Sequence, residues 1–123
     1  MATLGGDAEG PEDYLHKYLE EVDGYPRLAE KDQRDLLHVV WEGSVGAASA
    51  KRRVIQTNLR LVVELARRYE STGRHLLDLI QEGNLGLIRA VEGFDPGSEH
   101  KFETFARWAI REAIASALRS RGQ

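Results

Sequence analysis

Apolar residues recur along this chain at spacings of three and four, and no stretch alternates convincingly like a strand. That periodicity predicts an all-α fold. A first helix is expected from Pro11, a residue tolerated at a first helical position, with Tyr14, Leu15, Tyr18, Leu19 and Val22 on one stripe. Asp23-Gly24-Tyr25-Pro26 supplies the turn chemistry that ends it. A second helix is read from Ala29 to Trp41, burying Leu36, Leu37 and Val40, and Glu42-Gly43-Ser44 breaks it. A long third helix is read from Ala47 to Tyr69, with Val54, Leu59, Leu61, Val62, Leu65, Ala66 and Tyr69 facing the core. Its polar side carries Lys51, Arg52, Arg53, Arg60, Arg67 and Arg68. The short connection Ser71-Thr72-Gly73 predicts an antiparallel neighbour from Leu76 to Gly93, apolar at Leu76, Leu79, Ile80, Leu87, Ile88 and Val91. Gly83 and Gly86 inside that helix each cost roughly 1 kcal/mol against Ala, so they predict close approach by another backbone. After the loop Asp95-Pro96-Gly97-Ser98, a last helix is expected from Phe102 to Arg119. The expectation is a compact bundle of about five helices over residues 11–121, behind a flexible tail at 1–10 and before a frayed end at 119–123.

Composition narrows the classes. The 123 residues suit one domain, and the absence of cysteine excludes disulfides and thiolate metal sites, which fits a reducing, cytoplasmic setting. No apolar run is long enough to span a bilayer, and the N-terminus lacks the basic start and apolar stretch of a secretory signal. The net charge of −3 conceals an asymmetry: residues 1–50 balance at −7 and residues 51–123 at +4. Any contact with a polyanion is therefore expected in the second half.

His16, His38, His75 and His100 are scattered without metal-ligand spacing, and no nucleophile motif or phosphate-cradling loop occurs. Neither enzyme chemistry nor a metal or other cofactor is expected. Two clusters carry more. Asp78, Gln81, Glu82 and Leu85 share a helical face through their spacing, giving an acidic, amide-bearing surface suited to a partner that presents Arg and Lys. In Lys101-Phe102-Glu103-Thr104-Phe105-Ala106-Arg107-Trp108-Ala109-Ile110-Arg111, aromatics lie among cations. Such a surface can stack unpaired bases, at roughly 1–3 kcal/mol each, while neutralising phosphates.

The run Asn58-Leu59-Arg60-Leu61-Val62-Val63, then Leu77 through Val91, Phe94-Asp95, and Lys101 through Arg111 strongly resembles the second conserved region of the sigma-70 family. Tyr14 to Leu36, with Tyr18-Leu19 before Pro26-Arg27-Leu28, resembles the conserved segment preceding it in primary-type members. The resemblance implies a bacterial transcription initiation factor with the helical domain-two fold. It implies that Leu77, Asp78, Gln81, Glu82, Asn84 and Ile88 dock on the clamp helices of the largest catalytic subunit of RNA polymerase. It implies that Phe102, Thr104, Phe105 and Trp108 capture flipped non-template bases of the minus-ten promoter element, with Lys101, Arg107 and Arg111 meeting the backbone. Asn58 and Arg60, with Leu59, belong to a stretch that helps form a pocket for another flipped base, and Glu112 is placed to read an upstream base pair. No membrane contact is implied.

Departures from the family pattern qualify this. Ala109 stands where members carry a second tryptophan, and Pro96-Gly97-Ser98-Glu99-His100 replaces a basic, aromatic loop. Glu112 replaces a glutamine; Gln suits adenine, whereas a carboxylate accepts from cytosine. Weaker melting and a non-standard promoter preference are expected, as in an alternative, primary-like factor. The chain ends where members continue into further promoter-reading domains, so an excised domain is expected. The second reading is a sigma-like interaction module that binds polymerase or an anti-sigma factor without recognising a promoter.

Overall fold

The structure is a computed structural model that describes residues 10–121. Apart from Gly10, the tail expected over 1–10 lies outside the described residues, as do positions 122 and 123 of the expected frayed end. The described residues form six α-helices and no strand: α1 (Pro11–Gly24), α2 (Glu30–Glu42), α3 (Ala47–Thr57), α4 (Leu59–Arg67), α5 (Leu76–Gly93) and α6 (Phe102–Arg121), with a 3₁₀ turn at Glu70–Thr72. The bundle is all-α, as the periodicity requires.

The bundle has the expected layout, with the long helix read from Ala47 to Tyr69 broken at Asn58 into α3 and α4. That residue lies at φ −112°, ψ 7°, and its N–H donates to Ile55 three residues back instead of continuing the α ladder. Its side-chain amide donates to the Val54 carbonyl at 2.8 Å and to Gln33 Oε1 at 2.7 Å. The buried Thr57 hydroxyl donates back to the Arg53 carbonyl at 2.9 Å, a bond that bends helices. Two side chains thus compete with the backbone at one place, and the chain turns there.

Helix α2 stops at Gly43, whose φ of +66° is the left-handed cap that favours glycine, and its N–H returns to the Val39 and Val40 carbonyls. α5 has the boundaries read from the sequence, and α6 runs two residues beyond Arg119. Val54, Val62, Leu65, Ile80, Leu87, Val91, Ile110 and Ile114 form the interior, with Leu37 of α2 reaching in from the side.

The two glycines of α5 are used differently. A Cβ on Gly86 would sit 2.5 Å from the Ala109 carbonyl oxygen and 2.9 Å from the Ile110 Cα and the Ala113 Cβ. Here α6 backbone lies directly on α5 backbone, as the sequence predicted. At Gly83 the neighbours are side-chain ends, Val62 Cγ1 at 2.8 Å and Ile110 Cγ2 at 3.2 Å. The paired helices α5 and α6 fix the two surfaces described next.

Candidate nucleic-acid interface and partner face

An aromatic series climbs from the core to the surface at the start of α6. Phe94, just past α5, and Phe102 are both buried and meet edge-on, with ring centroids 5.4 Å apart at 79°. Phe105 is half-buried and lies 5.6 Å from Phe94. Trp108 stacks on Phe105 with centroids 6.3 Å apart and planes 26° from parallel, and remains 57% exposed. An exposed indole braced by Phe105, which Phe94 in turn supports, loses little freedom when a further flat ring lands on it. Phe102, at 5% exposure, falls on the same inward stripe as Ala106 and Ile110, and what it exposes lines the cavity between α2 and the start of α6.

The polar residues around the platform divide into free and committed groups. Lys101, Thr104, Arg111 and Glu112 are exposed, and Thr104, Trp108, Arg111 and Glu112 follow one another along one side of the helix. Arg107, expected to meet the DNA backbone, is engaged within the protein. Its Nε donates to Glu103 at 3.0 Å and its Nη1 to Glu64 of α4 at 3.4 Å. Burial alone would lower its pKa, but the hydrogen bonds and charges of those two carboxylates prevail and raise it, so the guanidinium stays charged and paired. Glu64 also meets Arg68 at 3.5 Å.

Asn58 and Arg60 are likewise held inside the chain. Asn58 bridges α2 and α3 as described above. The Arg60 Nη2 donates to the Asp23 carbonyl at 3.0 Å and the Tyr25 carbonyl at 2.6 Å. α1 has no basic residue in its last turn, so Arg60 supplies from α4 the cation that its C-terminal carbonyls favour. Tyr25 is anchored again by its hydroxyl, which donates to Glu21 at 3.0 Å; that bond raises the phenol's pKa. Beside Asn58's partner Gln33, a cavity of about 260 Å³ opens between α2 and the start of α6, lined by Gln33, Arg34, Phe94, Lys101, Phe102 and Glu103 among others. Sequence reading missed the share of α2 in this cavity, because Gln33 and Asn58 are separated by 25 positions and no local pattern joins them.

The outward side of α5 is acidic and amide-rich. Asp78, Gln81 and Leu85 are exposed, while Leu77, Glu82 and Ile88 are half-buried beside them. Asn84 is half-buried as well, and its amide donates to the Tyr18 hydroxyl of α1 at 3.2 Å. Among the described residues no cluster of His, Asp or Glu could hold a metal ion, and no helix is long and apolar enough to cross a membrane.

The sequence matches the family described as Sigma-70 region 2 over residues 54–123. Curated relatives include the RNA polymerase sigma factor SigA of a Bacillus species, 46% identical over 106 residues, and that of Clostridium acetobutylicum, 45% identical over 107. The SigA protein of Lactococcus lactis subsp. cremoris is 43% identical over 107 residues. These alignments cover 86–87% of this chain but only 27–29% of the relatives, so the chain spans less than a third of their length. The family match takes in α4, α5 and α6 entire, and therefore both the aromatic platform and the acidic face. The chain belongs to the sigma-70 family and carries its region 2.

Proposed function

We propose that this chain is the promoter-recognition and melting domain of a sigma factor. It docks on the clamp helices of the RNA polymerase core through α5 and captures unpaired non-template bases of the minus-ten element on α6. The observation that carries this reading is the exposed Trp108 stacked on Phe105 and backed by Phe94. An aromatic face that is preformed in the free protein gains binding free energy only from a base that has left the duplex. Capture then shifts the equilibrium towards melted DNA without nucleotide hydrolysis.

Magnitudes set what this platform can do. Extruding a base costs a few kcal/mol, and stacking returns about 1–3 kcal/mol per base. With Phe102 buried and Ala109 in place of a second tryptophan, Trp108 and the half-buried Phe105 are the stacking surfaces. One base is held well and a second only in part, in keeping with weaker melting. Lys101 and Arg111 are the cations left to meet phosphate, and Glu112 is exposed four residues beyond Trp108, in position to accept from a base edge. Asn58 shapes the cavity wall through Gln33, while Arg60 acts through the position of α1.

The test is binding of a labelled oligonucleotide of unpaired minus-ten-like sequence, measured with polymerase core present. Trp108→Ala is expected to weaken binding about tenfold or more, consistent with the loss of one stacking face. Equal binding by wild type and Trp108→Ala, or by a scrambled sequence, would favour a module that occupies polymerase without reading a promoter.

A further inference from the structure

Besides the cavity that α2 shares with the start of α6, the α2–α3 hairpin carries a second hollow of its own. Between these helices lies a groove of about 470 Å³, lined by Leu36, Val39, Val45 and Ala50 with Arg52 and Arg53 along its α3 side. Val45 stands in the connecting loop with its side chain fully exposed, and Trp41, the second-to-last residue of α2, is 50% exposed. Among the described residues these are the large exposed apolar side chains that belong neither to the α6 platform nor to α5 and the neighbouring α1. The charges point the same way. Lys51, on the neighbouring part of α3, is paired with Glu92 of α5. Arg52 and Arg53 are exposed, and neither makes an ion pair or side-chain hydrogen bond within the described chain. An apolar floor with guanidinium groups along one side fits an amphipathic helix that carries carboxylates beside its apolar stripe.

We propose that the α2–α3 groove is a docking site for an acidic amphipathic helix of a partner protein, a contact separate from promoter and polymerase. Apolar side chains at i, i+4 and i+7 of that helix would lie over Leu36, Val39 and Val45, making a third helix on the hairpin. Its Asp and Glu residues would meet Arg52 and Arg53. Charge complementarity selects this occupant over a basic one. The lining selects it over single-stranded nucleic acid, because no aromatic ring faces the groove for a base to stack on.

The test uses the whole chain and a fluorescent helical peptide with a leucine stripe flanked by glutamates. Binding by anisotropy is expected to fall at least tenfold for Arg52→Glu combined with Arg53→Glu, and similarly for Val45→Asp. Both changes lie on exposed positions, and unchanged helical circular dichroism would establish that the fold survives them. The same peptide with lysines in place of glutamates is expected to bind at least tenfold more weakly. Comparable binding of the lysine peptide, full binding by either variant, or displacement of the acidic peptide by single-stranded DNA would each overturn the proposal.

Discussion

Helices α5 and α6 lie backbone to backbone at Gly86, yet their outward sides carry opposite chemistry. α5 presents Asp78, Gln81 and Leu85, acidic and amide groups around a leucine; α6, with Lys101 just before it, presents Trp108 and Arg111, an aromatic ring among cations. Each helix gives one stripe to a shared interior and turns the rest outward. The difference teaches that one rigid contact can hold two outward surfaces of opposite charge. A change inside the contact should damage both, and a change on either outer face only one.

The largest effect is therefore expected at the contact itself. Gly86→Ala places a Cβ 2.5 Å from the Ala109 carbonyl oxygen, and backbone cannot yield as a side-chain tip can. Overpacking of this kind costs about 1–3 kcal/mol and outweighs the roughly 1 kcal/mol that Ala gains in helix propensity. Thermal unfolding should show the melting temperature falling by several degrees, with polymerase capture and oligonucleotide binding reduced together. Gly83→Ala meets the branch methyls of the fully buried Val62 and Ile110, so it too should destabilise, but by less than Gly86→Ala because no backbone atom lies in the way. Equal destabilisation by the two would remove the distinction between backbone and side-chain contact.

Next come changes that should separate the two faces. Gln81→Ala with Glu82→Ala is expected to reduce capture of polymerase core in a pull-down at least tenfold while leaving the fold intact. Trp108→Ala should leave capture unchanged. If both variants lose capture alike, the faces are not independent.

How much of this could be read from the sequence depended on the distance between interacting partners. The boundaries of α5 were legible because apolar spacing, turn residues and helix length are local properties. The meaning of Gly86 was legible because an interior glycine is unfavourable unless something lies against it. The burial of Phe102 could also have been read: it shares the inward stripe of Ala106 and Ile110, but its place in an aromatic-basic run gave it a surface role. What could not be read are the long-range commitments. Arg60 reaches carbonyls 35 and 37 positions back, and Arg107 reaches Glu64 43 positions away. The break at Asn58 likewise rests partly on Gln33, while the apolar pattern runs through it undisturbed.

Arg60 gives a smaller, stability-only effect that tests this view. Arg60→Met keeps the apolar stem but leaves the Asp23 and Tyr25 carbonyls without their cation. A loss of about 1–2 kcal/mol is expected, seen as a lower denaturation midpoint, with the stacking of bases on Trp108 little changed. A selective loss of DNA affinity at unchanged stability would instead restore Arg60 to direct contact.

The smallest effect compares two cations near the start of α6, one just before the helix and one within it. Each cation that neutralises a phosphate adds about 0.7 to the slope of log affinity against log salt for a single strand. Lys101 is exposed, so Lys101→Gln should lower that slope by nearly the full amount. Arg107 is already shared between Glu103 and Glu64, so Arg107→Gln should change the slope far less. Surface ion pairs contribute at most about 1 kcal/mol, so a phosphate could in principle draw Arg107 away from its carboxylates. Equal slopes for the two variants would mean that it does, and that the arginine paired in the free protein becomes a DNA contact in the complex.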